Sequence, residues 1–224
     1  MKPLAPPISL LRQALGVYLS KKYQAWFFFL GLLPTIVSFL LSFSIAFFQG
    51  TFSEIAFVLV LLLIIGALIT AIVSIWYYVF LYRFIVIAVQ GESIDIGQLA
   101  GQAWKRIAKL ITTNIMMMLF ILLGLILLII PGLVFIVWYY FAPIIAIIED
   151  PKIDALKESK NLVRGTFWPV TGRIVIFSCV AIVPSVLLQQ LSPYLSLMWQ
   201  IFAPYFTLLT FLFYLDLKSS KIPS

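Results

Sequence analysis

The chain has 224 residues, 63% hydrophobic and only 10% charged, with fifteen Lys and Arg against eight Asp and Glu and a formal charge of +7. Soluble domains carry roughly 25% charged residues, so this composition has too little polar surface for a water-soluble fold. It points to a membrane protein, in which the positive excess has a use at the membrane surface and no nucleic-acid partner is expected.

The N-terminal stretch "MKPLAPPISLLRQALG" has Arg12 ahead of the first long apolar run, which starts near Ala25. No small-residue cleavage motif follows a short apolar core, so the stretch is expected to be retained. Ile8, Leu11, Leu15 and Leu19 recur at three or four and mark an amphipathic segment over 8–22. Two uncharged windows follow, Tyr23 to Ser53 (31 residues) and Ile55 to Tyr82 (28). A crossing takes about 20 residues, so each window holds one helix, at 25–48 and 55–82. Ile96, Leu99, Ala103 and Ile107 make a second amphipathic segment over 94–107. The window Leu110 to Ile148 has 39 residues and holds a hairpin, 108–130 and 133–148. Pro131 is expected to end the first helix and Gly132 to make the turn. The second is short, about 24 Å at roughly 1.5 Å per residue. A third amphipathic segment covers 152–164, started by Asp150-Pro151 and stopped by Arg164-Gly165. The last window, Ile174 to Leu215 (42 residues), holds helices at 172–189 and 196–216. The expected fold is all-α, a polytopic membrane protein of six transmembrane helices over 1–224. The amphipathic segments either lie in the cytoplasmic interface or pack under the bundle.

Cutting the chain at these helices puts all fifteen basic residues on one side. The other side has only Glu54, in a turn, as a charged residue; Pro131-Gly132 and "QQLSPYLS" carry none. The positive-inside rule then expects both termini in the cytoplasm, in the cell's inner membrane. "WYYVFLYRFIVIAVQGESID" from Trp76 and "WYYFAPIIAIIEDPKID" from Trp138 share Trp-Tyr-Tyr, aliphatics and an acidic turn. This suggests three units, each an amphipathic segment followed by a hairpin, against the alternative that interfaces reuse the same residues.

Chemistry is sparse. There is no histidine, which removes the commonest general base and metal ligand, and "GQLAG" at 97–101 lacks a phosphate-loop pattern. Cys179 is alone in an apolar run. No enzyme activity, cofactor or metal is expected. Arg83, between "WYYVFLY" and "FIVIAVQ", either snorkels to headgroups or meets a partner inside the bundle. Lys105, Arg106, Arg164 and Trp168 join it as candidate lipid or partner contacts. Glu149, Asp150 and Asp154 are read as boundary residues. Trp76–Tyr78 fit an interfacial belt, and Trp138–Tyr140 fit core packing. Thr112, Thr113 and Asn114 are candidates for interhelical bonds, Met116–Met118 for surface padding, and Pro143 and Pro184 for kinks.

"LLGLILLIIPGLVFIVWYYFAPIIAIIED", followed by "DALKESKNLVRGTFWPV" and later by "FLFYLDLKSSK", resembles the membrane-domain superfamily of glycerophosphoryl diester phosphodiesterases and of YciC-like inner-membrane proteins. The matching positions include Pro131, Gly132, Ala142, Pro143, Ser159, Arg164, Gly165 and Trp168, with Tyr214 and Asp216 near the end. The resemblance implies a six-helix membrane domain and no mechanism. The diesterase activity belongs to a separate soluble barrel and is not carried over. Two functions stay open: a partner-binding or scaffold component, ranked first, and a carrier or lipid-handling protein. A polar cavity converging on Arg83 would reverse that order.

Overall fold

The computed structural model describes residues 4–49, 56–192, 195 and 198–221, and for 38–49 and 56–63 the backbone alone. Glu54 with its expected outer turn, and part of the 189–196 connection, lie outside the described residues. The chain is an all-α, multi-pass membrane protein. Its helices are α1 (Pro7–Tyr18), α2 (Gln24–Gln49), α3 (Ala56–Gln90), α4 (Ile96–Leu127), α5 (Ile129–Tyr139), α6 (Ala142–Ile148), α7 (Ala155–Val163), α8 (Phe167–Leu191), a 3-10 turn (Gln200–Phe202) and α9 (Ala203–Lys221). Among the described residues, five stretches are long and apolar enough to cross a membrane. They are Ile64–Gln90, α4, α5 with α6, α8, and the 3-10 turn with α9. The described side chains of α2 add a shorter apolar helix, Gln24–Val37.

Burial is concentrated toward one end. Phe84, Ile85, Phe141, Ile144, Ile145, Leu208, Leu209 and Phe213 form the centre of the core. Phe141 meets Phe213 edge-on at 5.3 Å, and Phe84 meets Phe27 edge-on at 5.1 Å. Toward the other end, Ile69, Leu123, Ile126 and Val186 face outward. Such an apolar exterior matches a lipid surrounding, not water.

α1 packs on α9 through Leu10, Ala14 and Tyr18, one residue per turn. The stripe expected from the sequence is a different one: Ile8, Leu15 and Leu19 are exposed. The helix is apolar on two sides, and the inner side is chosen by Tyr18, which stacks on Phe27 and meets Tyr205 edge-on.

The expected segments 94–107 and 108–130 are one helix, α4. Nothing between Ile107 and Leu110 breaks it, because Ala108 and Lys109 are good helix formers. Leu99 and Ala103 are buried, so this end packs under the bundle. The chain breaks at Leu128 (φ −166°, ψ 148°), three residues ahead of Pro131. Pro131 then falls in the first turn of α5, where its missing N–H is not needed. Gly132 lets α5 cross α4 closely: a Cβ there would stand 2.9 Å from the Leu125 nitrogen.

The expected single helix 133–148 is two pieces, α5 and α6. Pro143 has no N–H to continue the ladder, and the helix kinks at Tyr140-Phe141. The kink is braced from α7. Ser159 Oγ, fully buried, donates to the Trp138 carbonyl at 2.7 Å and accepts from the Phe141 N–H at 3.2 Å. α7 starts at Ala155, with the Asp154 side chain accepting from the N–H groups of Leu156 and Lys157. The expected start, Asp150-Pro151, instead closes a turn in which Asp150 accepts from the Lys152 N–H at 2.8 Å. α8 begins at Phe167 rather than near 172, since Pro169 also suits a first turn. α9 extends to Lys221, past the expected 216.

Pro34 removes the bond that the Leu30 carbonyl would accept, and the Tyr77 hydroxyl donates to that carbonyl at 2.6 Å. So Trp76–Tyr78 are not a simple belt: Tyr77 ties α3 to α2, Tyr78 bonds Tyr82, and Trp76 stacks on Phe80. Trp138 lies beneath the Lys160 ammonium at 4.3 Å. Thr112 bonds back to its own helix, and Asn114 faces outward, so the expected interhelical bonds do not form there.

Ser159→Ala would leave a buried donor and a buried acceptor without partners. Such a loss costs roughly 1–3 kcal/mol. The thermal unfolding midpoint of the purified protein should fall; an unchanged midpoint would mean the brace is dispensable.

Candidate functional site

The basic residues gather where the core is densest, and five of them hold carbonyl groups rather than carboxylates. Lys22 Nζ donates to the carbonyls of Gly91 (2.7 Å) and Glu92 (3.1 Å), and the Tyr23 hydroxyl also donates to Glu92 (2.9 Å). Arg106 donates to the Glu149 carbonyl at 2.5 Å and Lys109 to the Ile153 carbonyl at 3.0 Å. Lys221 closes the end of α7 on the carbonyls of Asn161 and Arg164. Arg173 holds the Ala5 carbonyl at 2.8 Å, and Asp216 accepts from the Ala5 N–H at 3.1 Å. Cations at helix C-termini satisfy otherwise orphaned carbonyls and complement the helix dipole.

Glu149 is the acidic centre of this collar. Its carboxylate pairs with Lys218 and accepts from the Tyr214 hydroxyl at 2.6 Å. Burial pushes the carboxyl up, but these two partners outweigh it and hold it below its ordinary value.

A cavity opens in this end, between the close of α3 and the start of α4. Its volume is about 260 Å³, and its polar wall includes Arg83, Gln90, Glu92, Asp95, Gln98 and Gln102. The local folding is readable. Gly91, at φ 76°, turns the chain out of α3, and the Glu92 N–H returns to the Ile87 carbonyl at 3.2 Å. Asp95 then caps α4 through the N–H groups of Gly97 and Gln98. Asp95, Gln98 and Gln102 are spaced three and four apart and share one face.

Arg83 is half-buried. Its Nε is buried without a partner, and its guanidinium makes no hydrogen bond or ion pair among the described residues. Arg106 lies within electrostatic reach of it. A guanidinium with no protein carboxylate on it can take an anion through parallel N–H donors.

The other sequence candidates do not line this cavity. Lys105 is exposed, Arg164 sits at the end of α7, and Trp168 is 79% exposed beside Phe167. Gln90, Ser93, Gln98 and Gln102 were not singled out by the sequence; the three-four spacing after Asp95 was the available signal. Among the described residues, no group of three or more His, Cys, Asp or Glu stands together to hold a metal ion.

The depressed Glu149 carboxyl stabilises the fold above its ordinary value of 4.5. That contribution should be lost as pH falls below 4.5 toward the lowered folded value. Thermal unfolding between pH 7 and 3 should show this loss, and Glu149→Gln should flatten the curve; identical curves would remove Glu149 as the acid-sensitive group.

No curated protein and no solved structure matches the chain. A family described as a domain of unknown function, DUF7847, matches residues 84–215. The match begins one residue after Arg83 and takes in the rest of the cavity, Glu149 and Tyr214, while Lys218 lies beyond its end. It covers more than half of the chain, and the chain belongs to this family.

Proposed function

We propose that this protein handles lipid: it holds the polar headgroup of a membrane lipid in the Arg83 cavity, and does so without catalysis. The observation that carries this reading is the unpaired Arg83 guanidinium facing a polar cavity at the basic end. A half-buried arginine in a membrane helix is costly unless something answers its charge, and the described part of the chain supplies no carboxylate within ion-pair range. The phosphate of a lipid is the anion present in quantity at that depth. The lack of histidine, and so of the commonest general base, supports a binding role over a catalytic one.

The same reading sets the protein in the inner membrane with its basic end in the cytoplasm. The charge asymmetry supports this orientation. It also counts α2 as a crossing, giving six crossings in three hairpins, α2–α3, α4 to α6, and α8–α9. Close packing of α4 on α5 supports the hairpin plan, as does the resemblance to the phosphodiesterase and YciC-like membrane domains. The scaffold reading has its own support in the exposed Trp168 and Lys105. The cavity on Arg83 favours lipid handling over it.

In nanodiscs containing phosphatidylglycerol and phosphatidylethanolamine, lipid retained on release into detergent should be read by native mass spectrometry. Hydrogen bonds to charged groups are worth roughly 1.5–3 kcal/mol, so Arg83→Gln should lower retention by about tenfold or more. Unchanged retention together with a stoichiometric co-purifying protein would favour the scaffold instead. For orientation, Ser219→Cys in a Cys179→Ser background should react with an impermeant thiol reagent only from the cytoplasmic side; reaction from outside would reverse the topology.

A further inference from the structure

We infer that the Arg83 cavity selects a headgroup carrying both a phosphate and a protonated amine, with the phosphate on Arg83 and the amine at Glu92 and Asp95. This rests on the lipid-handling reading and narrows its ligand.

The cavity holds charges of both signs that do not pair with each other. Arg83 forms no ion pair, and the Glu92 carboxylate makes neither a hydrogen bond nor an ion pair among the described residues. Asp95 uses Oδ1 as the cap of α4, and no bond is made through Oδ2. A plain anion would meet Arg83 but would be repelled by two carboxylates in the same cavity. A plain cation would meet the reverse conflict. A molecule with both charges answers both walls.

The order of the charges also matters. Arg83 sits seven residues before the end of α3 at Gln90, about 10 Å along the helix at roughly 1.5 Å per residue. Glu92 and Asp95 are in the turn beyond that end. Going from the membrane toward water, the site is positive first and negative second. A lipid headgroup that runs from glycerol to phosphate to amine presents negative first and positive second, so the two sequences are complementary.

The cavity wall is pre-formed. Lys22 and Tyr23 hold the turn by the Gly91 and Glu92 carbonyls, leaving the Glu92 carboxylate free. Gln98 and Gln102 offer amide N–H donors to phosphate oxygens from the α4 side. Its volume of about 260 Å³ is far more than one water needs and suits a headgroup.

The test uses the full chain in detergent, with phosphatidylethanolamine, phosphatidylglycerol, phosphatidylcholine, free phosphoethanolamine and inorganic phosphate as probes, read by native mass spectrometry. Phosphatidylethanolamine should be retained about tenfold over phosphatidylglycerol, and phosphatidylcholine, which has no N–H to donate, should fall between them. Glu92→Gln, a change in an exposed turn, should remove that preference and leave the unfolding midpoint alone. Arg83→Gln should lower every phospholipid. Equal retention of the two lipids, unchanged by Glu92→Gln but lowered by Arg83→Gln, would overturn the amine site and keep the lipid reading. No dependence on Arg83 would overturn both. Free phosphoethanolamine binding with the same dependence on Arg83 and Glu92, and as tightly as the lipid, would keep the site's chemistry and overturn the lipid as its source.

Discussion

Inside a membrane a backbone carbonyl that loses its helical partner has no water to turn to. This chain places prolines in its apolar helices, and side chains from elsewhere bond the backbone close to three of them. Tyr77 of α3 reaches the Leu30 carbonyl one turn before Pro34, and Ser159 of α7 binds both the Trp138 carbonyl and the Phe141 N–H at the kink ahead of Pro143. The Trp199 indole donates to the Ala181 carbonyl, just before Pro184, at 3.0 Å. Each bond ties one element to another part of the chain. The devices that complete the backbone bonding are therefore also those that fix the helices against one another.

The same logic runs through the basic end. Five lysines and arginines there bind backbone carbonyls, so their charge is not cancelled by carboxylates. Glu149 is the exception, taking Lys218 and Tyr214 together. The end stays electropositive while being well tied, which suits a surface facing anionic headgroups. Arg83 differs in being set back inside α3 with its Nε buried and unpartnered. What distinguishes it is an unmet bonding capacity beside a cavity.

The residues around Arg83 come from a short stretch of chain. Gly91 turns α3 back and Asp95 caps α4, and both serve the turn as well as the cavity. Moving the Asp95 side of this corner would break the cap of α4. The exposed stripe of α1, Ile8 with Leu15 and Leu19, lies at the same end of the protein and presents apolar surface where an interface would receive it.

Composition and charge position were enough to determine the membrane class, the all-α content and the rough location of the apolar helices, because the cost of burying charge in lipid leaves a one-dimensional record. Arg83 was also legible, as a charge flanked by apolar residues. The helix boundaries were less so. Pro131 reads as a breaker, yet it sits in the first turn of α5, and the break falls at Leu128, in extended form. The inner face of α1 was not legible because two apolar stripes compete on one helix, and the Tyr18 contacts with Phe27 and Tyr205 choose the one that packs inward. Ser159 is an ordinary residue of an amphipathic helix until α7 docks on the kink. The cavity wall required the tertiary structure for the same reason: Gln90, Glu92 and Gln102 become one site only when Gly91 folds α4 back along α3, and a linear sequence does not state which polar residues are left facing each other.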